Sequence, residues 1–209
     1  HINELLGDLI NLTKIKIENQ YLRALAYQLY ENNGVLKRKD IDDITRLISK
    51  EERKKLWSMG IKIGRYHVFL PKMLKPKAVE LRTMLWRIYN NVLSDLNIPK
   101  FGLNFVKNQN FNEKFLLLCG FEKFNDYFVR IDILEKLFIN IIDTTVDRKF
   151  KISSEMMNLL GCTKEDFFIL IKLMNYRKSK DDDTYYFFSN DKKNKQKVRQ
   201  NKNKVSPFS

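Results

Sequence analysis

The chain has 209 residues, of which 44% are hydrophobic and 31% are charged, and its net charge at pH 7 is +14. This composition is typical of a protein that buries a core, and the length allows one large domain or two small ones. No run of about 18 apolar residues is present, so no transmembrane helix and no membrane association are predicted.

The excess of positive charge favours a polyanionic partner such as a nucleic acid. A coding bias that raises Lys and Asn throughout the chain is the alternative explanation. Two cysteines, Cys119 and Cys162, and two histidines, His1 and His67, are too few for a zinc site or a disulfide framework. A reducing compartment is therefore expected. No signal peptide is predicted, and a chain that starts at His1 is expected to be a piece of a longer protein.

Residues 1–93 are predicted to form a helical bundle that ends in a basic strand, loop and helix. Apolar residues recur at helical spacing in residues 3–12, 15–32, 40–48 and 49–59. Ser49 and Glu52 have the spacing of a capping box at the start of the fourth helix. Four amphipathic helices joined by short loops are typical of a small bundle.

The basic strand, loop and helix occupy residues 60–93. Extended segments are predicted at 61–63 and 66–70, and Pro76 suits the first position of a helix. That helix is predicted to bury an apolar stripe consisting of Leu81, Met84, Leu85, Ile88 and Val92. Between Lys62 and Arg87 there are seven positive residues and one acid, Glu80.

This cluster of charge predicts contacts with RNA phosphates that do not depend on base sequence. Tyr66, His67 or Phe69 could stack on unpaired bases. The alternative is that the strand residues face the core and the lysines are merely exposed. The predicted RNA-contacting residues of this segment are Arg65, His67, Lys72, Lys75 and Lys77.

The second part of the chain is predicted to be a separate module. Residues 94–112 lose periodicity and contain Pro99 and Gly102, which is typical of a linker. In residues 113–190, a helix, a hairpin around Asn125, three helices and a terminal hairpin follow one another. The last three helices and the hairpin predict a winged-helix-like module.

Residues 191–209 are predicted to be a disordered basic tail. Residues 191–204 hold seven positive side chains, one acid and a single apolar residue, too few apolar groups to offset the entropy of ordering. The tail is expected to add salt-sensitive affinity for RNA, although a solubilising role is the alternative. Its candidate RNA-contacting residues are Lys193, Lys195, Lys197 and Arg199. The predicted fold class of the whole chain is therefore mainly α, with small β-hairpins.

No catalytic chemistry is predicted for the chain itself. A phosphate-binding loop of the form G-x-x-x-x-G-K-[ST] is missing from the sequence, as is an acidic DExH motif for magnesium. No Ser/His/Asp arrangement is present either. The sequence predicts no catalytic residue, no metal ligand and no cofactor.

Four segments resemble one protein family in the same order along the chain. They are HINELLGDL, IGRYHVFLP followed by MLKP, VRIDILEKL, and ISSEMMNLLGCTKEDF; the final VSPFS is also similar. Together they resemble the region after the motor domains of superfamily 2 DExH RNA helicases of the mitochondrial degradosome type, and above all their bacterial branch.

The resemblance implies an accessory region that contacts single-stranded RNA and packs on the motor domains of the same polypeptide, where ATP and Mg would bind. A ribonuclease is a further candidate partner. The implied location is the bacterial cytoplasm, with the mitochondrial matrix as the alternative.

Two other functions remain open from the sequence. The helix pair at 154–174 is typical of a DNA-binding regulator, but its outward residues, including Lys164, Glu165, Asp166 and Lys172, are close to neutral. The third possibility is a protein-interaction module that docks a ribonuclease and has no role in binding nucleic acid.

Overall fold

A computed structural model describes residues 2–14, 19–92, 96–107, 112–180 and 183–188. Within these residues the chain is mainly α-helical, with nine α-helices and three small antiparallel sheets of three strands each. The mainly α class predicted from the sequence is confirmed. None of the described helices is long and apolar enough to cross a membrane.

The elements of the first half are α1 (Ile2–Asn11), α2 (Gln20–Glu31), β1 (Val35–Lys37), α3 (Asp42–Leu47), α4 (Lys50–Ser58), β2 (Lys62–Ile63), β3 (His67–Phe69) and α5 (Pro76–Tyr89). Those of the second half are β4 (Phe105–Lys107), α6 (Glu113–Leu118), β5 (Phe121–Phe124), β6 (Tyr127–Arg130), α7 (Ile131–Asp143), β7 (Lys149–Phe150), α8 (Ser154–Leu160), α9 (Lys164–Leu173), β8 (Tyr176–Lys178) and β9 (Tyr185–Phe187). Short 3-10 helices cover Arg38–Ile41 and Pro71–Leu74.

Local signals account for several helix ends. Ser49 and Glu52 form the predicted capping box, in which each side chain bonds the backbone N–H of the other residue, at 3.2 and 2.7 Å. Pro76 is the first residue of α5, where its missing N–H leaves no intrahelical bond unmade. Thr163 caps α9, and Gly161 ends α8 in the left-handed conformation.

The first and last parts of the chain share one order of elements. Helix, strand, helix, helix, strand, strand describes α2, β1, α3, α4, β2 and β3, and also α7, β7, α8, α9, β8 and β9. In both sheets the third strand lies between the other two, and the middle sheet, made by β4, β5 and β6, has the same arrangement. The connectivity therefore occurs three times along the chain, with a shortened helical part in the middle copy.

The three copies also share a local feature. In each, a residue with positive φ lies two positions after the end of a helix, the next residue is buried, and a hairpin follows. Glycine or asparagine suits the positive φ because other residues meet steric strain there. The residues with positive φ are Gly60, Gly120 and Asn175, and the buried residues after them are Ile61, Phe121 and Tyr176.

Helix α5 buries a different face from the one predicted. Within the predicted stripe, Leu81 is partly buried against the apolar core of the first half. Met84, Leu85 and Ile88 are exposed. The buried face instead consists of Ala78, Val79, Arg82 and Thr83. The buried Arg82 guanidinium donates hydrogen bonds to carbonyl groups of three other segments, at Asn33, Met73 and Leu118.

Residues 94–112, predicted as a linker, take part in the fold where they are described. Strand β4 pairs with β6, with Phe105 opposite Val129. Leu96 and Ile98 pack against a core cluster that joins Val79 of the first half to Phe115 of the second. The predicted division into residues 1–93 and 113–190 stays a prediction, but contacts between the two parts are extensive.

Candidate nucleic-acid interface

A groove of about 950 Å³ is lined by residues from both halves of the chain. We refer to it as the basic groove, because the described residues of its lining include eight cationic side chains and two carboxylates, Asp132 and Glu135. The cationic residues are Arg38, Arg53, Lys62, Arg65, Lys75, Lys100, Arg130 and Lys136.

Apolar side chains share this lining with the cations. They include Ile63, Leu74, Ile98 and Phe138. Single-stranded nucleic acid presents both phosphates and unpaired base faces, and grooves that bind it combine positive charge with apolar or aromatic surface. The basic groove has both properties.

Four lysines of the groove are available to a ligand. Lys62, Lys75, Lys100 and Lys136 are exposed, and none of them forms a hydrogen bond or close ion pair among the described residues. Of the four, Lys136 also interacts electrostatically with Asp132. An exposed lysine without an internal partner can approach a phosphate without first breaking an interaction within the protein.

The arginines of the groove are engaged with the protein to a greater extent. Arg130 donates two hydrogen bonds to Asp132, at 2.7 and 2.8 Å. Arg53 donates to the backbone carbonyl of Thr45 at 3.0 Å, and Arg38 donates to that of Gly64 at 2.9 Å. These three arginines position the walls of the groove.

Both carboxylates are already satisfied by the protein. Burial opposes ionisation of Asp132, but the hydrogen bonds from Arg130 outweigh it and hold the pKa of Asp132 below its ordinary value. Glu135 accepts hydrogen bonds from three consecutive backbone N–H groups, those of Arg65 at 2.6 Å, Tyr66 at 2.8 Å and His67 at 3.0 Å. Arg130 thus pairs with Asp132 and backbone dipoles hold Glu135, so neither carboxylate needs one of the groove lysines as a hydrogen-bond partner.

His67 belongs to a buried ion cluster and not to the surface. The residue has 0% exposure, and its Nε2 lies 2.9 Å from Glu122, which also accepts a hydrogen bond from Lys37 at 3.0 Å. Its Nδ1 lies 3.6 Å from Glu135, too far for a hydrogen bond. Burial lowers the pKa of His67, but the two carboxylates outweigh burial and hold that pKa above the ordinary value.

This cluster corrects one of the predicted sites. Because its ring is enclosed by carboxylates from the second half of the chain, His67 has no surface with which to contact RNA. Arg65 and Lys75, in contrast, both line the basic groove. Lys72 is exposed but pairs with Asp8 at 2.9 Å, and Lys77 is exposed on the first turn of α5, outside the lining.

The four predicted tail residues, Lys193, Lys195, Lys197 and Arg199, lie outside the described residues. Their proposed contact with RNA stays a prediction.

The aromatic residues predicted to stack on bases are largely enclosed. Phe69 is buried, and Tyr66 packs edge-on against Phe124 and Phe138. The pattern in the extended segment 66–70 fits the alternative that these residues face the core.

Sequence reasoning missed two aromatic side chains that are exposed in the groove lining. They are Trp57, which is 69% exposed, and Phe101, which is 45% exposed. A usable signal was present for Trp57, since this large apolar residue lies near the end of the highly charged run KEERKKLWS. In an amphipathic helix, a large apolar residue such as Trp57 is buried only where a partner helix packs over it.

The outer surface of α9 is partly covered. Asp166, on its first turn, accepts hydrogen bonds from Lys107 at 3.1 Å and from the hydroxyl of Tyr127 at 3.0 Å, both on the middle sheet. A helix that reads bases in the major groove uses its N-terminal residues. This contact therefore disfavours α9 as a reader of duplex DNA.

Among the described residues, no group of three or more His, Cys, Asp and Glu side chains is arranged to hold a metal ion. Comparison with protein-family models, with curated proteins and with solved structures finds no match to the chain.

Proposed function

We propose that the chain is the accessory, post-motor region of an ATP-dependent DExH RNA helicase, and that it contacts single-stranded RNA through the basic groove. The observation that carries the proposal is the composition of the groove, in which eight cations face two carboxylates that the protein already satisfies. The four-segment resemblance supplies the helicase context, in which ATP and Mg bind to the motor domains and not to this chain.

The repeated topology supports a nucleic-acid role. Helix, strand, helix, helix, strand and strand, with the third strand central, is the order of a winged helix, a fold often used to contact nucleic acids. We assign residues 131–187 to a winged-helix-like unit and residues 20–69 to a second one, in place of a simple bundle. The basic groove then lies where the first unit meets the middle sheet and α7.

The chemistry of the groove fits a processive motor. Lysine contacts to phosphates do not depend on base sequence, so a strand can be drawn past them step by step. Lys62 and Lys75 come from the first half, and Lys100 and Lys136 from the second. A strand that contacts all four would bridge both halves and be held beside the motor domains.

The exposed apolar face of α5 fits packing on those motor domains. Met84, Leu85, Ile88 and Tyr89 are exposed together within six residues of the helix. A contiguous exposed apolar surface marks a protein interface more often than it marks free solvent. In the proposal this face is covered by the motor domains in the whole helicase.

The test is a fluorescence-anisotropy titration of the chain with a single-stranded RNA and with a matched DNA duplex at several salt concentrations. Changing Lys62, Lys75, Lys100 and Lys136 to Ala should weaken RNA binding and reduce the salt slope by about 0.7 for each phosphate that is no longer neutralised. The matched control changes four exposed lysines outside the groove, Lys14, Lys114, Lys151 and Lys172, so the net charge falls equally.

Equal weakening by both sets would show that binding follows net charge alone and would refute the groove assignment. A second arm changes Lys193, Lys195, Lys197 and Arg199 to Gln, which isolates the contribution of the tail. Preference for the duplex would favour the DNA-binding regulator. Absence of RNA affinity, together with stable capture of a ribonuclease after nuclease treatment, would favour the docking module.

A further inference from the structure

Helices α4 and α9 occupy the same place in two copies of the repeated topology, but their outer faces differ. Both begin alike, α4 after Ser49 with the sequence KEE and α9 after Thr163 with KED. On α9, Phe168 stacks on Tyr185, with 6.2 Å between ring centroids and 12° between planes. On α4, Trp57 contacts no other aromatic ring among the described residues.

Trp57 combines exposure with a place in the basic groove. Its side chain is 69% exposed, so a ligand that stacked on the ring would remove a large apolar area from water. It lines the basic groove together with Arg53 of the same helix and Lys62 of the following strand. A flat apolar ring beside cations is the arrangement that binds a base and its phosphate together.

A second pair of the same kind lines the groove. Phe101 is 45% exposed and directly follows Lys100, in a turn that contains Gly102 at φ 94°. These residues belong to the second half of the chain, whereas Trp57 and Lys62 belong to the first. The groove thus carries an exposed aromatic ring beside an exposed lysine on each half.

We propose that Trp57 and Phe101 are the stacking surfaces on which the groove receives unpaired bases, so that it selects single strands over duplexes. The inference rests on the proposed function, since it requires that the groove binds nucleic acid. Paired bases are stacked on one another inside a duplex and cannot offer their faces to these rings. The lysines alone would bind single strands and duplexes alike. The rings add affinity for single strands only.

Tryptophan fluorescence can test this directly, because the chain has two tryptophans, Trp57 and Trp86. Trp86 packs against Phe115 at 5.9 Å between ring centroids, and Trp86→Phe leaves Trp57 as the only indole. In that variant, a short oligouridine should quench the fluorescence of Trp57. An abasic ribose-phosphate strand of equal length and a blunt RNA duplex should not.

Affinity measurements provide the second readout. Trp57→Ala should weaken binding of oligouridine about 5- to 150-fold, which is the usual contribution of one base–aromatic stack. It should leave binding of the abasic strand unchanged. Trp57→Phe should recover most of the affinity, because phenylalanine retains a π face. Because Trp57 is exposed, the melting temperature of Trp57→Ala should match that of the unmodified chain, which separates a stacking defect from a folding defect.

The outcomes separate this inference from the proposed function. If the four-lysine variant loses RNA binding but Trp57→Ala and Phe101→Ala do not, the groove binds RNA and the stacking inference is overturned. Equal quenching by the abasic strand would overturn it as well. If neither the lysines nor the rings affect binding, both proposals fail.

Discussion

Replacing Gly64 or Glu135 should disrupt one and the same contact between the two halves of the chain. The Glu135 carboxylate accepts three backbone N–H groups at 2.6 to 3.0 Å, and a methyl group built on Gly64 would collide with that carboxylate. Glycine is therefore required at position 64 by the close approach of a side chain from α7. Either substitution removes the carboxylate from its three donors.

The expected loss of folding stability follows from the hydrogen bonds that Glu135 accepts. The N–H of His67 is buried and would be left without a partner, whereas those of Arg65 and Tyr66 are partly exposed and can bond water. One unpaired buried donor costs about 1–3 kcal/mol, and losing a charged acceptor adds to this, so Glu135→Ala should destabilise the fold by about 3 kcal/mol. For a chain of this size that lowers the melting temperature by about 6–12 °C.

A double-mutant cycle followed by thermal melting tests the shared contact. Gly64→Ala should cost about as much as Glu135→Ala, and the double variant should cost little more than either, with a coupling of about 2–3 kcal/mol. Matched controls are Glu165→Ala, an exposed glutamate, and Gly7→Ala, where the added methyl group meets no atom within 4 Å. Additive losses, or a Glu135→Ala variant as stable as the Glu165→Ala control, would refute the reasoning.

Three further outcomes follow from the same structure. The pKa of His67 is raised in the folded chain, so its protonation stabilises the fold below pH about 6.5. This stabilisation is lost as the pH rises through the raised pKa. Melting temperatures between pH 5.5 and 8.5 should therefore fall more steeply for the unmodified chain than for His67→Gln. Arg82→Met should lower the free energy of unfolding by about 3 kcal/mol, because three carbonyl oxygens lose a buried donor. Arg82→Lys should not restore this stability. Urea titration measures both variants, and an Arg82→Met variant as stable as the unmodified chain would contradict the prediction. Changing the exposed Leu85 and Ile88 to Glu should alter the free energy of unfolding by no more than about 1 kcal/mol. The same change should weaken the proposed association with the motor domains in a pull-down. Undiminished association would show that α5 does not form the proposed interface.

Features with a local cause are predictable from the sequence. The capping box at Ser49 depends on residues three positions apart, and the start of α5 depends on Pro76 itself. The predicted hairpin around Asn125 is likewise present, as β5 and β6, because asparagine tolerates the φ of 53° that the turn requires.

Features that depend on distant partners are not predictable in this way. The periodicity of α5 indicates an inward stripe of large residues, but the helix buries Arg82 because carbonyl groups from Asn33, Met73 and Leu118 converge on it. Likewise, the positive charge around His67 favours a surface position, yet two carboxylates from the second half enclose the ring. Single-sequence periodicity contains no information about which partners arrive from distant parts of the chain.

The candidate site combines both kinds of feature. Lys62 and Lys75 are visible in the sequence as part of a charge cluster. Lys100, Lys136 and Phe101 join them only because Ile98 and α7 pack against the first half. The sequence can therefore favour a polyanionic partner, but it does not indicate the groove in which the two halves present their charges together.

The three copies of the topology show why similar local sequences lead to different surfaces. A residue with positive φ and a buried residue after it direct each helix into a hairpin, so the path of the chain is set locally. The other residues of the preceding helix determine whether it is buried or exposed. The sequence EKFLLL makes α6 part of the core between the halves. The sequence KEERKKLWS leaves α4 charged, with Trp57 exposed in the groove. Topology alone would make these helices equivalent. Their side chains place the middle copy in the core and leave the first copy open to the proposed ligand, which is why α4 is the helix to mutate first.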